Sequence, residues 1–233
     1  MKKFFAICLL VTTVISAQSK DPVKIINSVI KEFEKIEDYE VDVTIKLDFS
    51  MVKIPDMKAK YYFKQPDKVK IDSKGFAMIP KHSLNFSPTQ FLKGDFTAIY
   101  AKSESENNRT YDIIKIIPNS DSLDVILTTL WIDQQSKVIK KVETTGKRSG
   151  TLHVDLDYQN NSVLPSSAVF SFNIGNLAAR DVNANNEEKK ENRSGHRRDA
   201  LINGKVYMTY SNYKINKGIP DSFFIEEKET PQK

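Results

Sequence analysis

The first patterned segment of the chain has the three- and four-residue spacing of an amphipathic helix. Asp21 and Pro22 are typical of a helix start, because an Asp side chain accepts hydrogen bonds from first-turn amides and Pro suits the first turn. Over residues 21–36, six apolar side chains form one stripe: Val23, Ile26, Val29, Ile30, Phe33 and Ile36. An apolar stripe must be buried, so this helix is predicted to pack on the structure that follows it.

From Tyr39 the period changes to two, which indicates β-strands. Turn sequences at Pro55-Asp56 and Gln65-Pro66-Asp67 divide this region into three strands, and such strands predict an antiparallel meander. Its odd-numbered apolar side chains are predicted to point inward: Val41, Val43, Ile45, Leu47, Phe49, Met51, Met57, Ala59, Tyr61, Phe63, Val69 and Ile71. On the opposite face, Lys46, Lys60 and Lys70 are predicted to be exposed.

Seven further strand patterns follow the meander. We place them at Thr97–Ala101, Thr110–Ile117, Asp124–Asp133, Val138–Thr144, Thr151–Tyr158, Ala168–Ile174 and Lys205–Ile215. About ten strands are too many for a flat sheet in a chain of 233 residues, and strongly twisted sheets of that size curl or close. The sequence therefore predicts an α+β protein with a curved antiparallel sheet.

Two segments interrupt the strand pattern. Residues 180–200 are rich in Asn, Glu, Lys and Arg, which indicates a flexible, solvated loop. Residues 73–95 contain Gly and Pro but also many apolar side chains: Phe76, Met78, Ile79, Leu84, Phe86, Phe91 and Leu92. A short helix is predicted to begin at Ser87-Pro88 and to end before Gly94. This apolar segment is either a fixed cover over the core or a movable lid over a ligand site.

The first seventeen residues have the form of a secretory signal peptide. Lys2-Lys3 precedes the uncharged apolar run Phe4–Ile15, and a polar stretch begins at Gln18. The apolar run is shorter than the ~20 residues that a membrane-spanning helix needs. We therefore expect export with cleavage after Ala17, which leaves residues 18–233 as one domain.

Composition excludes several classes of protein. The chain has 35 Lys and Arg against 30 Asp and Glu, a mixed surface that does not favour nucleic-acid binding. The single cysteine, Cys8, lies within the apolar run, so the mature chain is expected to have no thiol and no disulfide. The chain contains no GxGxxG and no GxxxxGK[ST] motif, which disfavours the corresponding nucleotide enzymes.

The sequence shows no recognisable catalytic or metal-binding arrangement. His82, His153 and His196 are far apart and lack HExxH spacing, and there is no GxSxG motif. Asp155 and Asp157 share a strand face, an arrangement more typical of a solubilising surface than of a cation site. We therefore predict no enzyme, no catalytic residue, no metal and no cofactor. The inward aromatic and aliphatic side chains fill a core or line an apolar ligand cavity, and alternation does not distinguish these alternatives.

Four features occur in an order that resembles the LolA-like family of bacterial periplasmic lipoprotein carriers, in its divergent outer-membrane lipoprotein-sorting branch. The first is an amphipathic helix that leads into a long alternating strand. The second, Tyr62–Lys70, is similar to the family's aromatic and basic Pro turn with its following strand. The third, Leu130–Asp133 with Lys137–Lys141, is similar to a family hairpin whose first strand ends in Ile-Asp. The fourth is the turn from Tyr158 to Pro165, which leads into another strand.

The resemblance implies an incomplete antiparallel β-barrel of about ten strands, with the N-terminal helix and a short helix covering its open side. It also implies an apolar cavity for acyl chains, which would contact Val43, Ile45, Leu47, Phe49, Met51, Tyr61, Phe63, Val69, Ile71, Phe76 and Met78. Gln65 stands where the typical carrier has an Arg that helps to hold the helical lid shut.

The implied function is that of a monomeric periplasmic carrier of acylated lipoproteins or lipids. It would receive its ligand from an inner-membrane donor complex and deliver it to an outer-membrane acceptor, with no role for nucleic acid. Related folds also serve as sensors, so an envelope-stress sensor or a regulatory interaction module is the alternative.

Overall fold

The computed structural model describes residues 20–49, 55–73, 94–120, 124–174 and 202–225. Within these ranges the helices are α1 (Pro22–Glu34) and a short 3-10 helix (Asp221–Phe224). The strands are β1 (Asp38–Phe49), β2 (Met57–Lys64), β3 (Lys68–Asp72), β4 (Phe96–Glu106), β5 (Arg109–Pro118), β6 (Val125–Asp133), β7 (Ile139–Gly146), β8 (Thr151–Asp157), β9 (Ser167–Ile174) and β10 (Ile202–Ile215). The predicted signal peptide, the helix after Ser87-Pro88 and the loop at 180–200 lie outside the described residues.

Helix α1 begins where the sequence predicts. The side chain of Asp21 accepts hydrogen bonds from the backbone N–H groups of Val23 and Lys24, at 2.9 and 3.3 Å. Most of the predicted stripe is buried or packed against the core, but Val23 is 51% exposed. The prediction for Val23 is wrong because packing against the core begins only with Ile25 and Ile26.

The ten strands form one antiparallel sheet in the order β3-β2-β1-β10-β9-β8-β7-β6-β5-β4. The first strand therefore pairs with the last one, with Val43 opposite Tyr210 and Leu47 opposite Val206. Strands β3 and β4 follow one another in the chain but form the two edges of the sheet. The sheet is open between these edges, which confirms the prediction of an α+β fold with an incomplete antiparallel barrel.

One face of the sheet carries the hydrophobic core, and we call it the inner face. Helix α1 lies against this face, where the rings of Phe33 and Phe63 are 5.5 Å apart. Just before the helix, Lys20 Nζ lies 2.8 Å from Oδ1 of Asp112 on β5. The helix therefore crosses the inner face between β5 and β2 and covers the end of the barrel at which β2 ends and β5 begins.

Asp112 links the start of α1 to the sheet. This buried carboxylate, 5% exposed, accepts hydrogen bonds at Oδ1 from Lys20, Gln134, Ser103 and Tyr100, at 2.8, 2.7, 3.0 and 3.2 Å. Burial raises the pKa of Asp112, but hydrogen bonds from Lys20, Gln134 and Ser103 outweigh it, so the pKa lies below its ordinary value.

Substitution of this carboxylate is expected to destabilise the protein. Asp112→Ala leaves several partly buried donors without their acceptor, which costs about 2–4 kcal/mol. For a chain of this size the melting temperature falls by about 5–15 °C. Calorimetry measures this change. Asp112→Asn is the isosteric control, and its melting temperature should fall less. An Asp112→Ala protein that melts like the parent would contradict this role.

Residues 216–225, which we call the C-terminal segment, pack on the outer face of β2 and β3. Asp221 forms ion pairs with Lys64 and Lys68, each at 2.7 Å. These lysines hydrogen-bond to the Asp221 carboxylate and lower its pKa to about 2. The ring of Phe223 meets that of Tyr62 edge-on, with centroids 4.6 Å apart. The segment therefore covers the outer face of one sheet edge.

The predicted exposure of two lysines is wrong. Lys60 is half-buried because it pairs with Glu40 at 2.8 Å and with Asp42 at 3.3 Å. Lys70 is half-buried because its Nζ donates to the carbonyl of Phe223 at 2.8 Å and lies 4.3 Å from the Phe223 ring centroid. Both lysines nevertheless lie on the outer face, so the predicted register of β2 and β3 is correct.

Candidate functional site: the inner face of the open barrel

The inner face brings together the described members of the predicted ligand-binding set. Four are buried, namely Val43, Ile45, Tyr61 and Phe63. Three are partly buried and pack against the same core, namely Leu47, Val69 and Ile71. Phe49 lies in β1, but its side chain is outside the described structure, and so are Met51, Phe76 and Met78. A role for these residues in ligand binding stays a prediction.

Aromatic rings from β1, β2 and β10 fill part of the inner face next to α1. We call Tyr39, Tyr61, Tyr210 and Tyr213 the tyrosine cluster. Tyr39 is its centre, with ring centroids 5.8 Å from Tyr61 and 5.9 Å from Tyr213. Tyr213 in turn lies 6.4 Å from Tyr210. The cluster joins strands β1, β2 and β10 and borders the half of the inner face that is remote from α1.

The hydroxyls of the cluster differ in their partners. Tyr213 donates to the carbonyl of Pro165 at 2.7 Å, and Tyr39 is hydrogen-bonded to Tyr61. Tyr210 donates to the sulfur of Met208 at 3.7 Å. Burial raises the pKa of all four phenols above the ordinary value of 10.0. These hydroxyls are therefore neutral hydrogen-bond donors at neutral pH.

A small cavity of about 20 Å³ lies beside the tyrosine cluster. The cluster forms part of its wall, and the remaining wall residues are Val43, Ile45, Ala59, Ile71, Pro165 and Met208. This volume corresponds to about one water molecule. The cavity therefore has room for a single polar atom of a ligand but not for an acyl chain.

The other half of the inner face is apolar and only partly buried. We call it the apolar half, and it consists of Leu47, Met57, Phe96, Ala98, Leu152, Phe172 and Val206. Leu47 lies opposite Val206, and Leu152 lies opposite Phe172. These side chains sit near the strand ends that are remote from α1. They form an apolar surface on the inner face, shared by β1, β2, β4, β8, β9 and β10, and a surface of this kind suits a long hydrocarbon ligand.

Polar groups are sparse on this part of the inner face. Thr128 and Thr144 lie opposite one another, and their hydroxyls are 3.2 Å apart, so each has a partner within the protein. In the described part of the chain, no group of three or more His, Cys, Asp and Glu side chains is placed to hold a metal ion. The described side chains of this part of the inner face are therefore mainly apolar.

Three described polar residues that were singled out in the sequence, His153, Asp157 and Gln65, lie away from the apolar half, whereas His82 and His196 lie outside the described residues. His153 Nδ1 is 3.2 Å from a carboxylate oxygen of Glu143 on the outer face. Asp157 pairs with Lys140. The backbone N–H of Gln65 donates to the carbonyl of Glu37 at 2.8 Å, while its buried Nε2 has no hydrogen-bond partner within the described residues. Within the described residues, Nε2 of Gln65 therefore donates no hydrogen bond to α1 of the kind that the resemblance implies for Arg.

Several residues of this face were not identified from the sequence, namely Val206, Met208, Tyr210 and Tyr213. They come from β10, which is predicted as a strand without a position in the sheet. Their alternation is visible in the sequence, but the pairing of β10 with β1 is not.

No helix within the described ranges is long and apolar enough to cross a membrane.

Comparison with known proteins identifies the fold. The chain is similar to a LolA superfamily protein from Nitrosomonas europaea, with 12% identity, 89% of this chain and 99% of the other covered, and a TM-score of 0.51. A DUF1329 family protein from Desulfovibrio piger has 10% identity, 88% and 98% coverage, and a TM-score of 0.56. A domain from Vibrio parahaemolyticus described as an outer membrane lipoprotein-sorting protein has 9% identity, 88% and 97% coverage, and a TM-score of 0.50.

The sequence itself matches no family model and no curated protein. At identities of 9–12% the likeness is one of architecture, and function must be argued from the site. The open ten-stranded sheet, with α1 across its inner face, is a LolA-like fold, as the sequence resemblance predicts.

Proposed function

We propose that the protein is a periplasmic carrier that binds the acyl chains of lipoproteins or lipids and carries them towards the outer membrane. The observation that supports this proposal best is the apolar half of the inner face, whose side chains come from six strands and are only partly buried. Burial of each acyl CH₂ group contributes about 0.8 kcal/mol. About ten such groups supply the roughly 8 kcal/mol of a micromolar Kd, before the cost of association, so an acyl chain can bind reversibly without a covalent step.

The fold supports the same proposal. One structure of similar architecture is described as an outer membrane lipoprotein-sorting protein, and another as a member of the LolA superfamily. A carrier of this kind would work as a monomer between an inner-membrane donor complex and an outer-membrane acceptor. The inward residues of β1–β3 that resemble the family's cavity residues would form one wall of its binding site.

The geometry suggests where the chain would lie. The cavity beside the tyrosine cluster holds about 20 Å³, so the acyl chain would rest on the apolar half, with the cluster at one end. The side chains of Leu47, Val206 and Phe172 would be its main contacts. Release would then require only that an acceptor offer a larger apolar surface.

Native mass spectrometry of protein purified from its own periplasm tests the binding step. We expect a co-purifying lipid or acylated lipoprotein whose mass is lost after delipidation. Transfer of a labelled lipoprotein from the loaded protein to outer-membrane vesicles tests the carrier step. Binding without transfer would contradict the carrier and support the sensor. A protein that carries no lipid and takes up no fluorescent fatty acid would contradict both.

A further inference from the structure

Tyr210 has a weaker hydrogen-bond partner than the other phenols of the tyrosine cluster. Tyr213 donates to a carbonyl oxygen at 2.7 Å, whereas Tyr210 donates to the thioether sulfur of Met208 at 3.7 Å. Thioether sulfur is a weak acceptor, and Tyr hydroxyls in protein interiors usually find a good partner. The hydroxyl of Tyr210 therefore has the capacity to donate a stronger hydrogen bond.

The small cavity lies next to the pair formed by Tyr210 and Met208. Both Tyr210 and Met208 line it, together with apolar side chains such as Val43, Ile45 and Ala59. Its volume of about 20 Å³ matches one oxygen-sized group. A terminal methyl group in this space would leave the phenol with its weak partner, whereas an acceptor oxygen would satisfy it.

The cavity and the apolar half follow one another along the first and last strands. Val206 belongs to the apolar half, and Met208 and Tyr210 follow it on the same face of β10. On β1, Leu47 lies opposite Val206 and Val43 lies opposite Tyr210. Four residues of a strand span about 13 Å. A chain that lies on the apolar half can therefore place one end beside Tyr210.

We infer that Tyr210 is a specificity-determining residue that donates a hydrogen bond to the carbonyl oxygen of a bound acyl group. This inference rests on the acyl-chain binding proposed above and specifies its ligand class. The site would select acyl esters and related acyl carbonyl compounds over plain hydrocarbons of equal length. The apolar half provides affinity for both classes of ligand, and the hydrogen bond from Tyr210 makes the affinity for the acyl carbonyl compound higher.

Two ligands of equal backbone length test this selection, namely methyl octanoate and decane. Each is titrated against protein loaded with 1-aminoanthracene, a fluorescent apolar probe without a carbonyl group, whose own Kd is measured for each variant. In Tyr210→Phe we expect the Kd for methyl octanoate divided by the Kd for decane to rise about three- to tenfold, because one net hydrogen bond to the ester is lost. The Kd for decane itself should stay within about twofold of the parent value.

Tyr213→Phe is the matched control. Its hydroxyl is already bonded to the Pro165 carbonyl, so its removal should leave the ratio of the two Kd values unchanged. An unchanged ratio in Tyr210→Phe, or an equal shift in Tyr213→Phe, would overturn the inference while acyl binding stands. Failure of both ligands to bind the parent protein would overturn the proposed function as well.

Infrared spectroscopy provides a test that needs no variant. Methyl octanoate labelled with ¹³C at its carbonyl is bound to the parent protein, and its stretching band is compared with that in an alkane solvent. A hydrogen bond from Tyr210 lowers the frequency of this band. A bound ester whose band matches the alkane value would overturn the inference, even if Tyr210→Phe does not fold.

Discussion

Replacement of Val206 by Glu is expected to abolish acyl-chain binding while the protein stays folded. Val206 lies on the inner face of β10, opposite Leu47 on β1, and is only partly buried. A carboxylate at this position keeps access to water in the free protein but would be covered by a bound acyl chain. Burying an unpaired charge costs several kcal/mol, so we expect the Kd for a fluorescent fatty acid to rise at least about a hundredfold.

Tyr207→Glu is the control for this substitution. Tyr207 is the next residue of the same strand and lies opposite Lys46 on the outer face. The new charge is the same, but it should not meet the ligand, and fatty acid binding should match that of the parent. Circular dichroism establishes that both variants fold. If Val206→Glu binds the fatty acid within threefold of the parent, about 0.7 kcal/mol, the acyl chain does not lie on the apolar half.

Asp38→Ala is expected to cause a large loss of stability. The carboxylate of Asp38 is 2% exposed and accepts three backbone hydrogen bonds from the C-terminal segment. The donors are the N–H groups of Lys217 at 2.9 Å, Gly218 at 2.9 Å and Ile219 at 3.2 Å. Their loss should cost about 2–3 kcal/mol. The melting temperature should fall by about 4–12 °C.

A second readout locates this effect in the C-terminal segment. Lys217 is exposed, so release of the segment should accelerate tryptic cleavage after it. Asp38→Asn keeps one acceptor oxygen, so its melting temperature and its rate of tryptic cleavage should lie between those of the parent and of Asp38→Ala. Asp48→Ala removes an exposed carboxylate from the same strand and should change little. If Asp38→Ala loses no more stability than Asp48→Ala, the carboxylate does not hold the segment.

The local elements are predictable from the sequence because alternation marks them directly. Strand β4 shows the limit of this signal, since it is predicted to end at Ala101 but continues to Glu106. Residues 102–106 are all polar or charged and exposed, so they show no alternation of apolar and polar side chains that could mark a strand. Backbone pairing with β5, which ends with Glu106 opposite Arg109, is what extends the strand.

The candidate site is only half predictable, and the reason is pairing over long sequence distances. The wall from β1 to β3 follows from local alternation and tight turns. Val206, Met208 and Tyr210 belong to the same site only because β10 pairs with β1. Hydrophobic alternation fixes which face of a strand is buried but contains no information about the neighbouring strand. The C-terminal segment was missed for a similar reason, because Asp38 and Gly218 are far apart in the chain.

The position of β10 between β1 and β9 has a consequence for folding kinetics. Among the described strands, the three earliest and the six strands β4–β9 are joined in the sheet only through β10, the last of them in sequence order. Until residue 215 is free to pair, β1 and β9 each present an unpaired edge, and such edges promote aggregation. Pairing of such distant segments is also slow. The sheet therefore cannot be completed until β10 is available to pair with both of these strands.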